Sequence, residues 1–316
     1  MDHKIQEGVR MEESKEKLKK EIERLKKEKN AIILAHNYQI EDVQLIADFL
    51  GDSLDLSRKA KETEANIIIF AGVYFMAETA KILSPHKKVL IPEKGARCPM
   101  ADMVTAEELL KFKEKYPDAK IVAYVNTNAD VKAVADVCVT SANAVDVVRK
   151  LDADRIIFVP DKNLANYVAK NVRDKEIIPW PGFCYVHRSF TATDVEASKE
   201  MYPDAVLLVH PECNPEVVEI ADYVASTQGM INLAKKLPAR RFLIATESGL
   251  VTRMQREIPE KEFYNAGLPK VCSDMKKINL KSIYYSLLEE KYEIEIPSDI
   301  MEKARLSLDR MLEYSK

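Results

Sequence analysis

The sequence predicts an α/β protein built from three homologous three-layer α/β/α domains with short parallel sheets, arranged around a pseudo-threefold axis. The main observation is a cysteine that recurs at intervals of 86 and 88 residues, at Cys98, Cys184 and Cys272. An Ala-Asp pair keeps step with these cysteines, at residues 47–48, 135–136 and 221–222. A period of about 87 residues is longer than solenoid repeats, and it therefore favours three small domains over a stack.

We place the three domains at residues 1–116, 117–203 and 204–316. The segment Tyr-Pro-Asp-Ala recurs at residues 116–119 and 202–205, next to the two boundaries. Seven residues beyond each cysteine stands a residue suited to cap a helix, namely Thr105, Thr191 or Asn279. An eight-unit (β/α) barrel is the alternative for a chain of this length, but a threefold period fits eight units poorly.

Each unit contains two clear strand patterns. The first strand is an apolar run at residues 31–35, which predicts a buried parallel strand and recurs at 121–125 and 205–209. A charged surface helix is predicted before it, over residues 11–29. A second strand is predicted at 67–70, 156–159 and 242–245, each followed by a helix. Two helices are predicted after Cys272, the last one starting at 297–298. Sheets of this kind bind ligands beyond the carboxyl ends of their strands.

Composition excludes several functional classes. The chain has 316 residues and a net charge of −3, and no basic run lies in an aromatic setting, so nucleic acid is not an expected partner. No apolar run approaches the ~18 residues of a membrane span, and the charged N-terminus does not resemble a signal peptide. We therefore expect a cytoplasmic protein, in which five cysteines favour metal or redox chemistry over disulfides.

Three equivalent cysteines, here called the registered cysteines (Cys98, Cys184 and Cys272), predict one metal or cluster at the common centre of the domains. Structural zinc usually takes four ligands, often as local Cys-x-x-Cys pairs, and the sequence has none. A [4Fe-4S] cluster can be held by three thiolates, which leaves one iron open. A fourth ligand, Cys213 or His187, would instead close the site.

Polar residues follow the predicted strands and face this centre. The residues suited to proton transfer are His36, Tyr38, Tyr124, His210 and Glu212, of which Tyr38, Tyr124 and Glu212 are the predicted catalytic residues. Each unit also offers a hydroxyl at a predicted helix start, where backbone N–H groups attract anions: Ser53, Ser141, and Ser226 with Thr227. A single residue of this kind is usually structural, but their common register favours substrate binding.

From about residue 30 to residue 290, the chain resembles the quinolinate synthase family. The resemblance lies in eight motifs: LAHNY (34–38), CPMAD (98–102), YVN (124–126), VTS (139–141), GFCYVH (182–187), HPEC (210–213), STQGM (226–230) and VCSDMK (271–276). The chain departs from the family in two ways. Arg97 stands where many relatives have glycine, and the extra cysteines that some members place upstream of the last ligand are missing, so we expect no disulfide switch.

The resemblance implies a triangular three-domain fold with a [4Fe-4S] cluster held at its centre by the registered cysteines. It implies condensation of iminoaspartate with dihydroxyacetone phosphate to quinolinate, phosphate and water in NAD biosynthesis, with the open iron as a Lewis acid. It also implies that His36 and His210 contact substrate carboxylates, that Tyr124 and Asn126 hold the reacting intermediate, and that Glu212 is an acid/base. An enzyme that produces iminoaspartate is an expected functional partner.

Two other functions compete with this interpretation. A non-catalytic iron–sulfur protein for redox transfer or sensing would normally close its cluster with four protein ligands and would not need acids and bases around it. A zinc hydrolase would contain metal without inorganic sulfide. His187, three residues after Cys184, is expected to orient the cluster loop through a hydrogen bond, and His3 and His86 receive no role.

Overall fold

A computed structural model describes the backbone of residues 2–315 and the side chains of residues 14–315. Its strands are β1 (Ala31–His36), β2 (Phe49–Gly51), β3 (Ile67–Ala71), β4 (Lys88–Leu90), β5 (Lys120–Tyr124), β6 (Val137–Val139), β7 (Arg155–Val159), β8 (Glu176–Pro179), β9 (Val206–Val209), β10 (Tyr223–Val224), β11 (Arg241–Ala245) and β12 (Glu262–Asn265). Its helices are α1 (Asp2–Glu28), α2 (Glu41–Ile46), α3 (Ser53–Glu62), α4 (Tyr74–Leu83), α5 (Ala106–Lys113), α6 (Ala129–Val134), α7 (Ala144–Lys150), α8 (Lys162–Asn171), α9 (Tyr185–Arg188), α10 (Ala192–Met201), α11 (Pro215–Glu219), α12 (Thr227–Lys236), α13 (Ser248–Glu257), α14 (Leu280–Glu289) and α15 (Ser298–Tyr314).

The strands form three parallel four-stranded sheets with the same topology. Their orders are β2-β1-β3-β4, β6-β5-β7-β8 and β10-β9-β11-β12. The two strands predicted for each unit are the central pair of its sheet, which confirms the predicted α/β class. The central strands are recognisable in the sequence because they are buried on both faces; every residue of β3, for example, is buried. The pseudo-threefold arrangement of the units remains a prediction.

The aspartate of each repeated Ala-Asp pair fastens an outer strand to the central strand beside it. Its side chain accepts a hydrogen bond from a backbone N–H near the start of the first central strand. The three contacts are Asp48 Oδ2 with Ile33 N (2.7 Å), Asp136 Oδ2 with Ile121 N (2.8 Å) and Asp222 Oδ2 with Leu207 N (2.7 Å). The landmark that reveals the repeat is therefore a structural feature of the sheet.

The three predicted helix caps are confirmed. Thr105 and Asn279 each form a capping box, in which the cap side chain accepts from the N–H of the third helical residue and the cap N–H donates to the side chain of that residue. Thr191 caps α10 through a bond from Asp194 N. Each cap begins a helix seven residues after a registered cysteine, so the chain returns to regular structure at the same distance from the centre in every unit.

The terminal helices cover the first and second sheets rather than the third. Helix α1 packs against α14, which also contacts β3, whereas α15 packs on α6 and β6 of the second unit. As a result one continuous hydrophobic core joins the first two units, and the third sheet has a separate core on each face. Within the described part of the chain, no helix has the length and apolar character needed to cross a membrane.

Candidate active site

One cavity lies beyond the carboxyl ends of β1, β5 and β9 and is lined by residues of all three units. It holds ≈ 750 Å³ of empty space, including its mouth. Twelve of the thirteen predicted site residues line it: His36, Tyr38, Ser53, Cys98, Tyr124, Asn126, Ser141, Cys184, His210, Glu212, Thr227 and Cys272. The remaining residue, Ser226, does not line the cavity.

The registered cysteines reach the cavity through the same local geometry. Each is followed by a short helical turn, and a backbone N–H three residues further on points at its sulfur. The three pairs are Cys98 with Ala101, Cys184 with His187, and Cys272 with Met275. Backbone donors of this kind hold the sulfur and favour its thiolate form.

Glycine is required before the second cysteine. A Cβ atom at Gly182 would lie 2.4 Å from the carbonyl oxygen of Pro160, which is closer than real Cβ atoms approach. The same two segments are joined by a bond from Lys162 N to the carbonyl of Gly182 (2.9 Å). The loop that carries Cys184 is therefore pressed against the end of the neighbouring strand, and any side chain at residue 182 would displace it.

The electrostatics of the three sulfurs suit a metal centre. Burial, and then the nearness of Cys272, raises the pKa of Cys98 to about 12. Burial and Glu212 raise the pKa of Cys184 well above its ordinary value, and burial raises that of Cys272. Three thiols that ionise with difficulty in one cavity need a positive charge to become thiolates, and bound metal supplies one. The residues present therefore fit the predicted group.

The spacing of the sulfurs argues against a single ion between them. Among the described residues, only one trio of metal-binding side chains has all its ligand atoms within 4.8 Å of one another, and it is Cys184, His187 and Glu212. The three registered sulfurs do not meet this limit, whereas thiolates on one tetrahedral zinc would lie about 3.8 Å apart, given Zn–S bonds of about 2.3 Å.

The fourth ligands considered from the sequence are engaged elsewhere. Cys213 is fully buried in the core of the third unit, 3.5 Å from the carbonyl of Ala245, and it does not line the cavity. His187 lines the cavity, but its Nε2 lies 2.8 Å from Thr246 Oγ1 and its Nδ1 lies 2.6 Å from Glu212 Oε2. Cys138 is also fully buried, next to Ser307. In this structure the centre is left with three protein thiols.

Glu212 lies at the centre of the acid–base groups. Its Oε2 is 2.6 Å from His187 Nδ1 and 3.8 Å from His210 Nδ1, and Tyr124 donates a hydrogen bond to it. The His187 Nδ1 atom has no hydrogen-bond partner of regular geometry despite this short distance. Burial alone would raise the pKa of Glu212, but His187, His210 and Tyr124 together lower it to about 2. Near neutral pH this group is a carboxylate.

His36 and His210 are neutral near pH 7. The pKa of each is lowered to about 3, chiefly by burial; for His210 the neighbouring His187 ring, stacked with centroids 4.3 Å apart, contributes to this lowering. A neutral imidazole can donate one hydrogen bond but carries no charge. Substrate carboxylates would therefore meet hydrogen-bond donors here and not cations.

A second network joins residues from all three units. The Tyr38 hydroxyl lies 2.6 Å from Thr246 Oγ1 and 3.3 Å from His187 Nε2. Burial raises the pKa of Tyr38 well above its ordinary value, so it remains a proton donor. Thr246 was missed in the sequence, although it follows the predicted strand at 242–245. The His187 side chain was expected to orient the cluster loop, but it contacts this network and Glu212.

The predicted hydroxyls of the first and third units stand at helix starts, but not all of them reach the cavity. Ser226 is the N-cap of α12: its Oγ accepts from Gly229 N (3.2 Å) and donates to Asp52 Oδ2 (3.1 Å). Thr227, the next residue, lines the cavity, and so does Ser53 at the first position of α3. Residues 53, 141 and 227 are spaced by 88 and 86, so the hydroxyl in register is Thr227 and not Ser226.

The prediction that Ser141 starts a helix is wrong. Helix α7 begins at Ala144 with Asn143 as its N-cap, because the Asn143 side chain accepts from Thr140 N (2.6 Å) and closes a turn across Ser141. Ser141 still lines the cavity and hydrogen-bonds to Tyr124. Near it, Oδ1 of Asn126 is buried without a hydrogen-bond partner, as expected for a group that awaits a ligand.

Two further residues at the mouth were not assigned a function from the sequence. Arg97 lines the cavity beside Cys98 and forms an ion pair with Asp102 (3.2 Å). Tyr185 spans two cysteine loops, since its hydroxyl accepts from Ser273 N (2.9 Å) and lies 3.7 Å from Cys272 Sγ. Tyr185 was visible only as part of the GFCYVH motif.

Comparison with known proteins gives a consistent result. Residues 20–313 match the family described as Quinolinate synthetase A protein. The chain is 57% identical over 305 residues to a quinolinate synthase of Pyrococcus furiosus, covering 96% of this chain and 100% of the relative. It is 57% identical to the quinolinate synthase of Thermococcus onnurineus (95% and 99% covered) and 51% identical to that of Aquifex aeolicus (99% and 98% covered).

Proposed function

The chain belongs to the quinolinate synthetase A protein family, and on that premise we propose that its central cavity is the site of quinolinate synthesis. The resemblance found in the sequence is thereby confirmed. The enzyme is a quinolinate synthase, a transferase of NAD biosynthesis that condenses iminoaspartate with dihydroxyacetone phosphate and releases phosphate and water. The observation that carries the assignment to this cavity is that all three registered cysteines and the strand-end acid–base groups line it together.

We assign a [4Fe-4S] cluster to Cys98, Cys184 and Cys272. Their shared cavity and their raised pKa values support a metal centre bound by all three thiolates, and the family of the chain favours an iron–sulfur cluster there. When bound, a cluster with three protein thiolates supplies an iron that has no protein ligand and acts as a Lewis acid on a substrate oxygen. All other chemistry must come from the side chains around it.

Substrate anions are held at the end of the cavity formed by the helix starts. Ser53 and Thr227 begin α3 and α12, and their hydroxyls and the dipole at each helix start favour phosphate and carboxylate groups. The N–H groups of Leu54 and Asp55 are already bonded to Asp52. Ser141 lines the same cavity from the second unit. His36 and His210 donate hydrogen bonds to carboxylates, and the unpaired oxygen of Asn126 accepts one from the reacting molecule.

Proton transfer is assigned to Glu212, Tyr38 and Tyr124. Glu212 is ionised near neutral pH, so it starts as a base that removes a proton from carbon, and it returns the proton as an acid when water leaves. Tyr124 donates to Glu212, and burial keeps both tyrosines protonated because it raises their pKa values well above normal. The contact with His187 orients the carboxylate.

Two wider assignments follow from the reaction. Iminoaspartate is unstable, so we propose a functional link to an enzyme that produces it. We also propose that the protein works in the cytoplasm, the location expected from the sequence.

Anaerobic purification followed by iron and sulfide analysis tests the proposal. We expect about four irons and four sulfides per chain, quinolinate formation from iminoaspartate and dihydroxyacetone phosphate, and a change in the cluster spectrum when quinolinate is added. Metal without sulfide would contradict the cluster and favour a single ion at Cys184, His187 and Glu212. A cluster whose spectrum ignores quinolinate, in a protein without synthase activity, would favour a redox or sensor role.

A further inference from the structure

One position of the repeat lies at the start of a helix, close to the cysteine loop of its unit. It is the N-cap of the helix that follows the second central strand, and it is occupied by Val73, Asp161 and Glu247. These residues are spaced by 88 and 86, so they are equivalent in the repeat. Asp161 and Glu247 are both 0% exposed. Two of the three units therefore bury an acid at this position.

The two oxygens of each carboxylate accept hydrogen bonds from different backbone N–H groups. One oxygen caps its own helix: Asp161 Oδ1 accepts from Leu164 N (2.7 Å), and Glu247 Oε2 accepts from Gly249 N (2.7 Å). The other oxygen accepts from the backbone N–H of a registered cysteine. These bonds are Cys184 N to Asp161 Oδ2 (3.2 Å) and Cys272 N to Glu247 Oε1 (3.2 Å).

The first unit uses a different connection. Val73 has no side-chain acceptor, and the loop before Cys98 is held through the main chain, by a bond from Tyr74 N to Ala96 O (2.8 Å). Capping alone does not explain the acids of the other two units, because a serine or asparagine caps a helix as well as a carboxylate does. What a carboxylate adds is a second acceptor oxygen that reaches the cysteine.

We infer that Asp161 and Glu247 are positioning residues of the metal centre, which fix the main chain of Cys184 and Cys272 so that their sulfurs face the cavity. The inference rests on the proposed function, because it takes the registered cysteines as metal ligands. Partners of metal ligands usually matter for retention of the metal, and their loss commonly costs about 10- to 100-fold in affinity. Neither acid has to touch the substrate to have this effect.

Asp161 offers the cleaner test, because Glu247 also pairs with Lys276 (2.9 Å) and a change there would disturb that pair. Asp161→Ser keeps a helix-capping hydroxyl but is too short to reach Cys184. Asp161→Asn keeps the shape of the side chain but offers one acceptor oxygen to two N–H donors. Thr191→Ala is the matched control, since Thr191 is an exposed cap of α10 that bonds to Asp194 N.

All four proteins would be reconstituted anaerobically and then followed for iron release to a chelator, sulfide content and the electron paramagnetic resonance spectrum of the reduced cluster. We expect both Asp161 variants to release iron about 10- to 100-fold faster than wild type and to show an altered spectrum. Their apoproteins should keep the wild-type circular dichroism. Thr191→Ala should release iron at the wild-type rate, even if its melting temperature falls.

Each alternative outcome has a separate meaning. Wild-type rates and spectra in both Asp161 variants would overturn the positioning role while leaving the proposed function intact. Equally fast release from Thr191→Ala, or loss of the apoprotein fold in both Asp161 variants, would also overturn it, because the effect would then be one of general stability. A wild-type protein that assembles no sulfide would instead refute the proposed function, and the inference with it.

Discussion

The two ends of the central cavity differ in how far the three units carry the same residue at equivalent positions. At the metal end, equivalent positions carry the same residue, the registered cysteine, followed in each unit by the same N–H contact to sulfur. At the strand ends, equivalent positions carry different residues. The first set is His36, Tyr124 and His210, and the second is Tyr38, Asn126 and Glu212, each spaced by 88 and 86.

This difference follows from the shapes of the two ligands. The proposed [4Fe-4S] cluster presents equivalent irons to three thiolates, so one loop design serves all three units. The substrates have no such symmetry, and their carboxylates, phosphate and reacting carbons need different partners. Only the set Ser53, Ser141 and Thr227 keeps a hydroxyl that lines the cavity in every unit, as is appropriate for binding anions. The repeat is retained where the ligand is symmetric and has diverged where it is not.

The largest effect on cluster content and activity is expected at the metal end of the cavity, where the three units are alike. Replacing any one registered cysteine with alanine should abolish both the iron–sulfur absorption and the synthase activity, because two thiolates hold a cluster poorly. Iron and sulfide content, measured with activity after anaerobic reconstitution, checks this. Cys138→Ala and Cys213→Ala are matched controls that should keep the cluster, since both sulfurs are buried outside the cavity. If Cys213→Ala lost the cluster while a registered cysteine proved dispensable, the assigned symmetry would be wrong.

The next largest effect is expected at the strand ends, where turnover should fall while the metal end stays intact. Glu212→Gln keeps the size of the side chain but cannot exchange a proton, so turnover should fall by about a hundred- to ten-thousandfold. Cluster content and quinolinate binding should remain, because the carboxylate is not assigned to the metal. Turnover, sulfide content and the spectral change on adding quinolinate are measured on the same sample. Near-normal turnover would remove Glu212 from catalysis, and loss of the cluster would give it a structural role.

A smaller effect concerns the neutral histidines His36 and His210. Both have a pKa of about 3 in the folded protein, against about 6.5 when unfolded. Below about pH 6.5 the unfolded chain takes up protons that the folded chain does not, so their stabilisation is complete above that pH and is lost as the pH falls toward 3. Each should remove about 1.4 kcal/mol of apoprotein stability per pH unit in this window.

Urea unfolding of the apoprotein at several pH values between 7.5 and 5 measures this loss. His36→Asn should remove about half of the histidine-dependent part of the slope. His86→Ala is the control, because His86 is exposed on the surface of the first unit. An unchanged pH dependence in His36→Asn would show that the imidazole takes up its proton in the folded state, and a charged His36 would then bind the substrate carboxylate as a cation.

The sequence predicts the symmetric parts of the molecule better than the asymmetric ones. The six central strands, the three helix caps and the cavity-facing cysteines recur with a visible period, so each unit supports the interpretation of the others. The outer strands escape detection because they are as short as the two residues of β10, which is too few to show a pattern. The packing of α15 on the second unit likewise depends on contacts that no local signal encodes.

Contacts between the units could not be predicted from the sequence either. Thr246 meets Tyr38 and His187 only because three different units fold around one cavity, and a threonine after a strand is unremarkable by itself. The sequence names both Ser226 and Thr227 as substrate-binding residues, and of the two only Thr227 lines the cavity. In the first two units the residue before the lining serine is Asp52 or Thr140, and each takes part in a hydrogen bond that fixes the local backbone.

That one-residue difference gives the smallest effect and the sharpest test of the asymmetric end. Ser226→Ala removes a helix cap and a bond to Asp52, so apoprotein stability should fall by about 1 kcal/mol, while the KM for dihydroxyacetone phosphate and iminoaspartate stays near wild type. Thr227→Val keeps the shape of the side chain but removes a hydroxyl that lines the cavity and accepts a bond from Asn37 Nδ2 (2.7 Å), so KM should rise. Because the two residues are adjacent, general disturbance of α12 would affect both variants alike. Unfolding midpoints and KM values from the two variants therefore decide which hydroxyl binds substrate, and a raised KM in Ser226→Ala with none in Thr227→Val would return that role to Ser226.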